Sequence, residues 1–118
     1  MADAEGSPDC LFCRVVAGGA SADVVRETDR VVAFRDIDPQ APMHVLVVPR
    51  AHHATVADLA AADGAALTEL VTVAAAVAAG EGHTDYRLVF NTGAGAGQSV
   101  FHVHAHVLAG RALSWPPG

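Results

Sequence analysis

Lysine is missing from this chain, cysteine occurs only twice, and Phe, Trp and Tyr together make up 5% of the 118 residues. Seven arginines (14, 26, 30, 35, 50, 87 and 111) are the only strong cations. They are scattered, and the formal charge is −6. A nucleic-acid binder carries a basic patch, so long polyanions are excluded as partners. A small anion held by local donors is still allowed. No run approaches the roughly 20 apolar residues of a membrane-spanning helix. The acidic start Met1-Ala2-Asp3-Ala4-Glu5-Gly6 lacks the apolar centre of a signal peptide, so the cytoplasm is the expected compartment. Two cysteines in such a context do not make a disulfide framework.

What is abundant is small and aliphatic. The hydrophobic share is 52%, enough for one domain with a real core and too short a chain for two. Residues 1–9 read as a loose tail and 10–118 as that single domain. Cys10 to Ala17 predicts a short helix stopped by Gly18-Gly19. Val24–Glu27 and Val31–Arg35 flank Thr28-Asp29-Arg30 as a hairpin would. His44–Val48 and Tyr86–Phe90 read as strands. Between them, from Asp58 to Ala79, the composition turns to Ala, Leu, Val and acids, and Leu67, Leu70, Val71, Ala74, Val77 and Ala78 fall at helical spacing as the apolar stripe of a long helix. Asp63 is expected to cap the helix start, and Gly80 and Gly82 to end it. The expected class is α+β, a mainly antiparallel sheet under a long helix.

The chemistry concentrates near the C-terminus. His102, His104 and His106 alternate with Val103, Ala105 and Val107. In an extended segment over Val100–Leu108 the imidazoles share one face and the aliphatic side chains the other. His102 and His106 are then about 13 Å apart, too far to share one metal ion whose nitrogen ligands lie ~2.0–2.1 Å away. At most two of the three meet on an ion. A neutral imidazole with its other nitrogen's proton held by an acceptor can instead attack phosphorus.

Asn91 to Ser99, with Gly93, Gly95 and Gly97, precedes the histidines. Glycine lets backbone N–H groups approach an oxyanion closely, and no Walker lysine follows. Asp36 is either a turn former or a carboxylate for two ribose hydroxyls. Cys10-x-x-Cys13 is a weak metal signal by itself. His52, His53 and His102 are the candidates to complete a Cys₂His₂ set, while His83 reads as a solvated loop residue.

Taken together, Gly97-Gln98-Ser99-Val100-Phe101, the alternating run His102 to Leu108, Asp36 to Pro42, His44 with Val47-Val48-Pro49, and Trp115-Pro116-Pro117-Gly118 resemble the histidine triad family of nucleotide hydrolases and transferases. The likeness spans Cys10 to Gly118 and is to the Hint-type branch, the purine nucleoside phosphoramidases. It implies a five-stranded antiparallel sheet continued across a homodimer. It implies that His104 is the nucleophile of a nucleotidyl-histidine intermediate, with His102, His106, His44 and Ser99 assisting.

Asp36 would hold the ribose, with Leu11, Phe12, Phe34 and Ile37 around the purine. Asn91, Gly97, Gln98, Ser99 and His106 would hold the phosphate. The Trp115 tail would tune the leaving group. Cys10, Cys13, His52 and His102 match members that bind structural zinc, and no organic cofactor is implied. A dinucleoside polyphosphate hydrolase or nucleotidyl transferase is the alternative activity on the same scaffold. Ala105 departs from the pattern, being smaller than the usual residue there.

Overall fold

In a computed structural model of the chain, residues 9–118 are described. The expected N-terminal tail lies outside these residues, apart from Asp9. Helix α1 spans Leu11–Val16, followed by β1 (Val24–Glu27), β2 (Val31–Arg35) and β3 (Met43–Pro49). Helices α2 (Val56–Ala62) and α3 (Gly64–Gly80) come next, then β4 (Arg87–Phe90) and β5 (Ala105–Ala109). The five strands form one antiparallel sheet in the order β1-β2-β3-β5-β4, an α+β architecture.

Strand alternation sorts the side chains. Val31, Ala33, Val45, Val47, Ala105 and Val107 face α3, where Leu70, Val73, Ala74, Val77 and Ala78 complete the main core. The opposite face buries Val32, Phe34, Leu46 and Val48 against Phe12 and Val15 of α1. His106 is paired in register with Leu46 on one side and Val89 on the other. His44 pairs with Leu108, which pairs with Arg87. The polar chemistry therefore sits on the sheet face turned away from α3, because a period of two allows only one face to be polar.

Three expectations change. The long helix starts after Asp63, as its capping role predicts, but a separate short helix, Val56–Ala62, precedes it. Thr55 caps the first through its side chain on the Asp58 N–H, and Asp63 caps the second on the Ala66 N–H at 3.1 Å. Asp63 at φ −154° and ψ 79° cannot continue a helix, so its capping role splits the segment. Val71 is 40% exposed, and Val73 takes its place in the buried stripe, because the true face runs 66, 70, 73, 74, 77, 78.

The histidine strand is also shorter than Val100–Leu108. Regular pairing begins at Ala105, and the Val103 N–H bonds to the carbonyl of His53 at 2.7 Å instead. The alternation survives outside the ladder. Val103, Ala105 and Val107 are all buried in the main core.

Candidate functional site

The histidines form a row whose protons are fixed by their neighbours. His104 Nδ1 lies 2.9 Å from the carbonyl oxygen of His102. A carbonyl only accepts, so Nδ1 carries the proton and Nε2 keeps a free lone pair. His102 Nε2 lies 2.8 Å from the Pro49 carbonyl, so its proton is on Nε2 and its Nδ1 is the free base.

His44 works the other way round. The Gln40 N–H donates to its Nδ1 at 3.0 Å, leaving the His44 proton on Nε2. That Nε2–H donates to Nδ1 of His106 at 2.9 Å, so His106 carries its proton on Nε2. Asp36 Oδ2 lies 3.4 Å from the same His44 nitrogen, while Asp36 Oδ1 accepts the Asp38 N–H at 2.8 Å.

Burial disfavours the charged form of His44, His102 and His106. His106 is pushed down to about 4 by desolvation first, then by the nearby His104 and His44, against the pull of Asp36. His102 is likewise pushed down to about 4, mainly by burial, with the Pro49 hydrogen bond opposing. His44 is lowered by burial, with Asp36 and Asp38 opposing.

His104 is buried and touches both sides of the site. Its ring meets the edge of Phe12 at 5.0 Å and of His106 at 5.0 Å. Phe12 belongs to a cavity of about 310 Å³ with Leu11, Phe34, Asp36, Ile37 and Ser99, so six predicted pocket residues come together there. Beyond His106 lies a second cavity of about 550 Å³, which also holds His44 and Asn91.

The glycine-rich segment is less free than its composition suggests. Residues Ala94–Ala96 make a single 3₁₀ turn, and Gly97 follows at φ 97°, a conformation that favours glycine. Gln98 is buried and fully engaged. Its side-chain oxygen accepts the Gly93 N–H, its amide donates to the carbonyls of Ala54 and Val100, and its own N–H bonds Gly93 O. Gln98 thus builds the loop and has no N–H to spare for a ligand. Gly97 likewise gives its N–H to the Ala94 carbonyl. The Ser99 hydroxyl carries no hydrogen bond among the described residues.

The cysteines close a separate cluster. Cys10 Sγ lies 3.5 Å and Cys13 Sγ 3.4 Å from His102 Nδ1, and Cys13 Sγ lies 3.2 Å from His52 Nδ1. All four ligand atoms lie within 4.8 Å of one another. Tetrahedral zinc with the usual bond lengths separates sulfur from nitrogen by roughly 3.6 Å. The free lone pair of His102 points into this group, so the donor set fits zinc. Of the candidates, His52 and not His53 joins it.

A second group, Asp36, His44 and His106, has similar spacing. A neutral His44 ligating through Nε2 would carry its proton on Nδ1, against the Gln40 N–H. That arrangement is a hydrogen-bonded chain and not a metal site.

Sequence reading missed Gln40, Arg87 and Arg111, which line the larger cavity. Single arginines and a glutamine in turns carry no pattern, and only the pairing of His44, Leu108 and Arg87 across three strands brings them to the row. Among the described residues, no helix is long and apolar enough to cross a membrane.

Residues 18–113 match the HIT domain family. An uncharacterised HIT-like protein of Synechococcus elongatus is 45% identical over 113 residues, 95% of this chain and 99% of that protein. The purine nucleoside phosphoramidase of Escherichia coli is 42% identical over 107 residues, 89% of this chain and 90% of that one. A HIT family hydrolase from Legionella pneumophila has the same fold at a TM-score of 0.89, with 46% identity over 93% of this chain and 100% of that one. With the triad, its tautomers and the sheet in place, and with relatives matching nearly end to end, the chain belongs to the HIT domain family.

Proposed function

We propose that this protein hydrolyses the P–N bond of purine nucleoside 5′-phosphoramidates, with His104 as the nucleophile. The observation that carries the reading is the bond from His104 Nδ1–H to the His102 carbonyl, which leaves Nε2 unprotonated on a ring that touches Phe12 of one cavity and His106 of the other. The phosphoramidase activity of the Escherichia coli relative supports the same choice.

The nucleoside occupies the cavity of Phe34, Asp36 and Ile37, its base against Leu11 and Phe12 and its ribose on Asp36. The Nε2 lone pair of His104 forms a bond to the α-phosphorus. The P–N bond breaks, and the amine leaves with that electron pair and takes a proton from water in the open cavity beside His106. His104 is then a nucleotidyl-imidazolium, its Nδ1–H still on the His102 carbonyl. Water adds to phosphorus, releases its proton, and frees the mononucleotide and the neutral ring.

His106 Nε2–H and the Ser99 hydroxyl donate to the phosphoryl oxygens. One such donor is typically worth ~10²–10³ in rate. His44 keeps the His106 proton on Nε2. Asn91 reaches the phosphate from the loop, and Gly97 and Gln98 shape that loop.

Cys10, Cys13, His52 and His102 would hold a structural zinc ion, whose part is to clamp α1 to the segment carrying the histidines. The protein works as a cytoplasmic homodimer, extending the sheet across two copies.

The test is turnover of adenosine 5′-phosphoramidate by His104→Ala. Turnover falls by at least roughly 10³-fold while AMP still binds. Acid quench of the unaltered protein traps a labelled nucleotidyl-protein. Near-normal turnover by the variant would remove His104 from the role.

A further inference from the structure

Two sulfurs bracket part of the candidate purine wall. Cys10 and Cys13 enclose Leu11 and Phe12 at the start of α1. Leu11 and Phe12 line the cavity of about 310 Å³ with Phe34 and Asp36. The Phe12 ring meets that of His104 at 5.0 Å and that of Phe34 at 5.5 Å. A change at the sulfurs therefore reaches a cavity that neither of them lines.

The pair is placed to form a disulfide. The sulfurs lie within 4.8 Å of each other, and the Cys13 N–H reaches Cys10 Sγ at 3.3 Å. Residues three apart at a helix start have Cα atoms about 5 Å apart, inside the range of about 4.4–6.8 Å that a disulfide spans. Cys10 is half-buried and lines a further cavity of about 510 Å³ with His52 and Phe101, whereas Cys13 is buried. Access thus sets the order, Cys10 meeting an oxidant first and Cys13 resolving it.

We infer that Cys10 and Cys13 are a site of reversible oxidation by hydroperoxides, coupled to nucleotide binding. The Cys10 sulfur attacks the O–O bond of hydrogen peroxide, giving a sulfenic acid and one water. The Cys13 sulfur then displaces the sulfenic hydroxyl, which leaves with the thiol proton as a second water, and the S–S bond forms. Two thiols give up two electrons and two protons, and one peroxide becomes two waters.

His102 carries the coupling. Its Nε2 proton is committed to the Pro49 carbonyl, so its Nδ1 needs a donor or an ion on the cysteine side. The thiols of Cys10 and Cys13 can donate there across 3.5 and 3.4 Å, or their thiolates can share an ion with the ring. A disulfide has no proton to give and no thiolate to ligate with. The lone pair of a fully buried ring is then left unpaired, a cost that α1 relieves by shifting. Leu11 and Phe12 shift with α1, and nucleotide binds more weakly. That consequence rests on the proposed purine site, while formation of the disulfide does not. A reducing compartment keeps the pair as thiols until oxidant arrives.

The experiment treats the purified, reduced protein with hydrogen peroxide and follows intact mass and AMP affinity. The mass falls by about 2 Da as one disulfide forms within the chain, and AMP affinity falls by about fivefold or more. A reductant with added zinc restores both. By reciprocity, saturating AMP makes the pair harder to oxidise, in a glutathione titration, by the same factor. Peroxide leaves the AMP affinity of Cys10→Ser and of Cys13→Ser where it was. Should both variants fail to fold, the wild-type mass and affinity decide.

Retention of both thiols, a sulfinic acid about 32 Da heavier, or a disulfide between two chains overturns the proposal. A disulfide within the chain that leaves AMP affinity unchanged overturns the coupling and the proposal with it. Failure of the reduced protein to bind AMP overturns the purine site and the coupling together, whatever the mass.

Discussion

His104 is oriented by the backbone of His102, whose own side chain enters the cysteine cluster. The carbonyl of His102 accepts from His104 Nδ1 at 2.9 Å, and its Nδ1 lies 3.4 Å from Cys13 Sγ. One residue thus joins the candidate zinc site to the candidate nucleophile. Its backbone fixes the tautomer of one, and its ring supplies a ligand to the other.

If zinc at this cluster is structural, a chelator lowers the melting temperature, and activity is lost only as the fold is lost. Cys13→Ser lowers it in the same direction, by roughly 10 °C or more, since a chain of this size shifts about 4–8 °C per kcal/mol. The checks are a thermal melt and metal analysis of the purified protein. An immediate loss of turnover on chelation, with an unchanged melt, would make the metal catalytic instead.

Gly110 predicts a large cost at a position with no catalytic group. It sits at φ 97°, and a Cβ added there would lie 2.9 Å from Cβ of Pro42. Gly110→Ala combines a left-handed backbone penalty with a clash against a rigid ring, about 2–4 kcal/mol in all. Urea unfolding measures it. A midpoint equal to that of the wild type would show that the two turns separate freely.

Gln98 separates loop construction from ligand contact. Gln98→Ala leaves the Gly93 N–H and the carbonyls of Ala54 and Val100 without their partner, costing about 2 kcal/mol and raising KM for the nucleotide. Gln98→Glu is worse than alanine, because a carboxylate then faces two carbonyl oxygens. Stability ranked glutamate above alanine would contradict this arrangement.

The row also makes stability depend on pH. In the folded protein burial pushes His106 down to about 4, against an ordinary value of 6.5. Between those limits the unfolded chain binds the proton and the folded chain does not, so stability rises with pH. The His106 contribution is present in full above pH 6.5 and is lost as pH falls from there to about 4. Urea midpoints at pH 7.5 and 4.5 should therefore differ less in His106→Asn than in the wild type. An identical difference in the two proteins would show that His106 protonates as easily folded as unfolded.

Much of this was legible in the chain. Strict alternation of histidine with Val103, Ala105 and Val107 determined which side chains enter the core, because neighbours in an extended segment face opposite ways whether or not a partner strand pairs with them. Thr28-Asp29-Arg30 between two aliphatic runs determined the hairpin, and the glycines after Ala17 the end of α1. Asp63 as the cap of α3 was legible too, while the short helix before it was not, because alanine and leucine are helical on either side of the break.

Tertiary structure alone decided the tautomers, because the acceptors for His102 and His104 are backbone carbonyls, and every residue has one. It brought His52, and not its neighbour His53, to the two cysteines and His102, the set that the family resemblance implied. It alone brought Arg87 and Arg111 beside His106. That meeting depends on the register of β3, β5 and β4, which forms only when segments distant along the chain bury their shared apolar face.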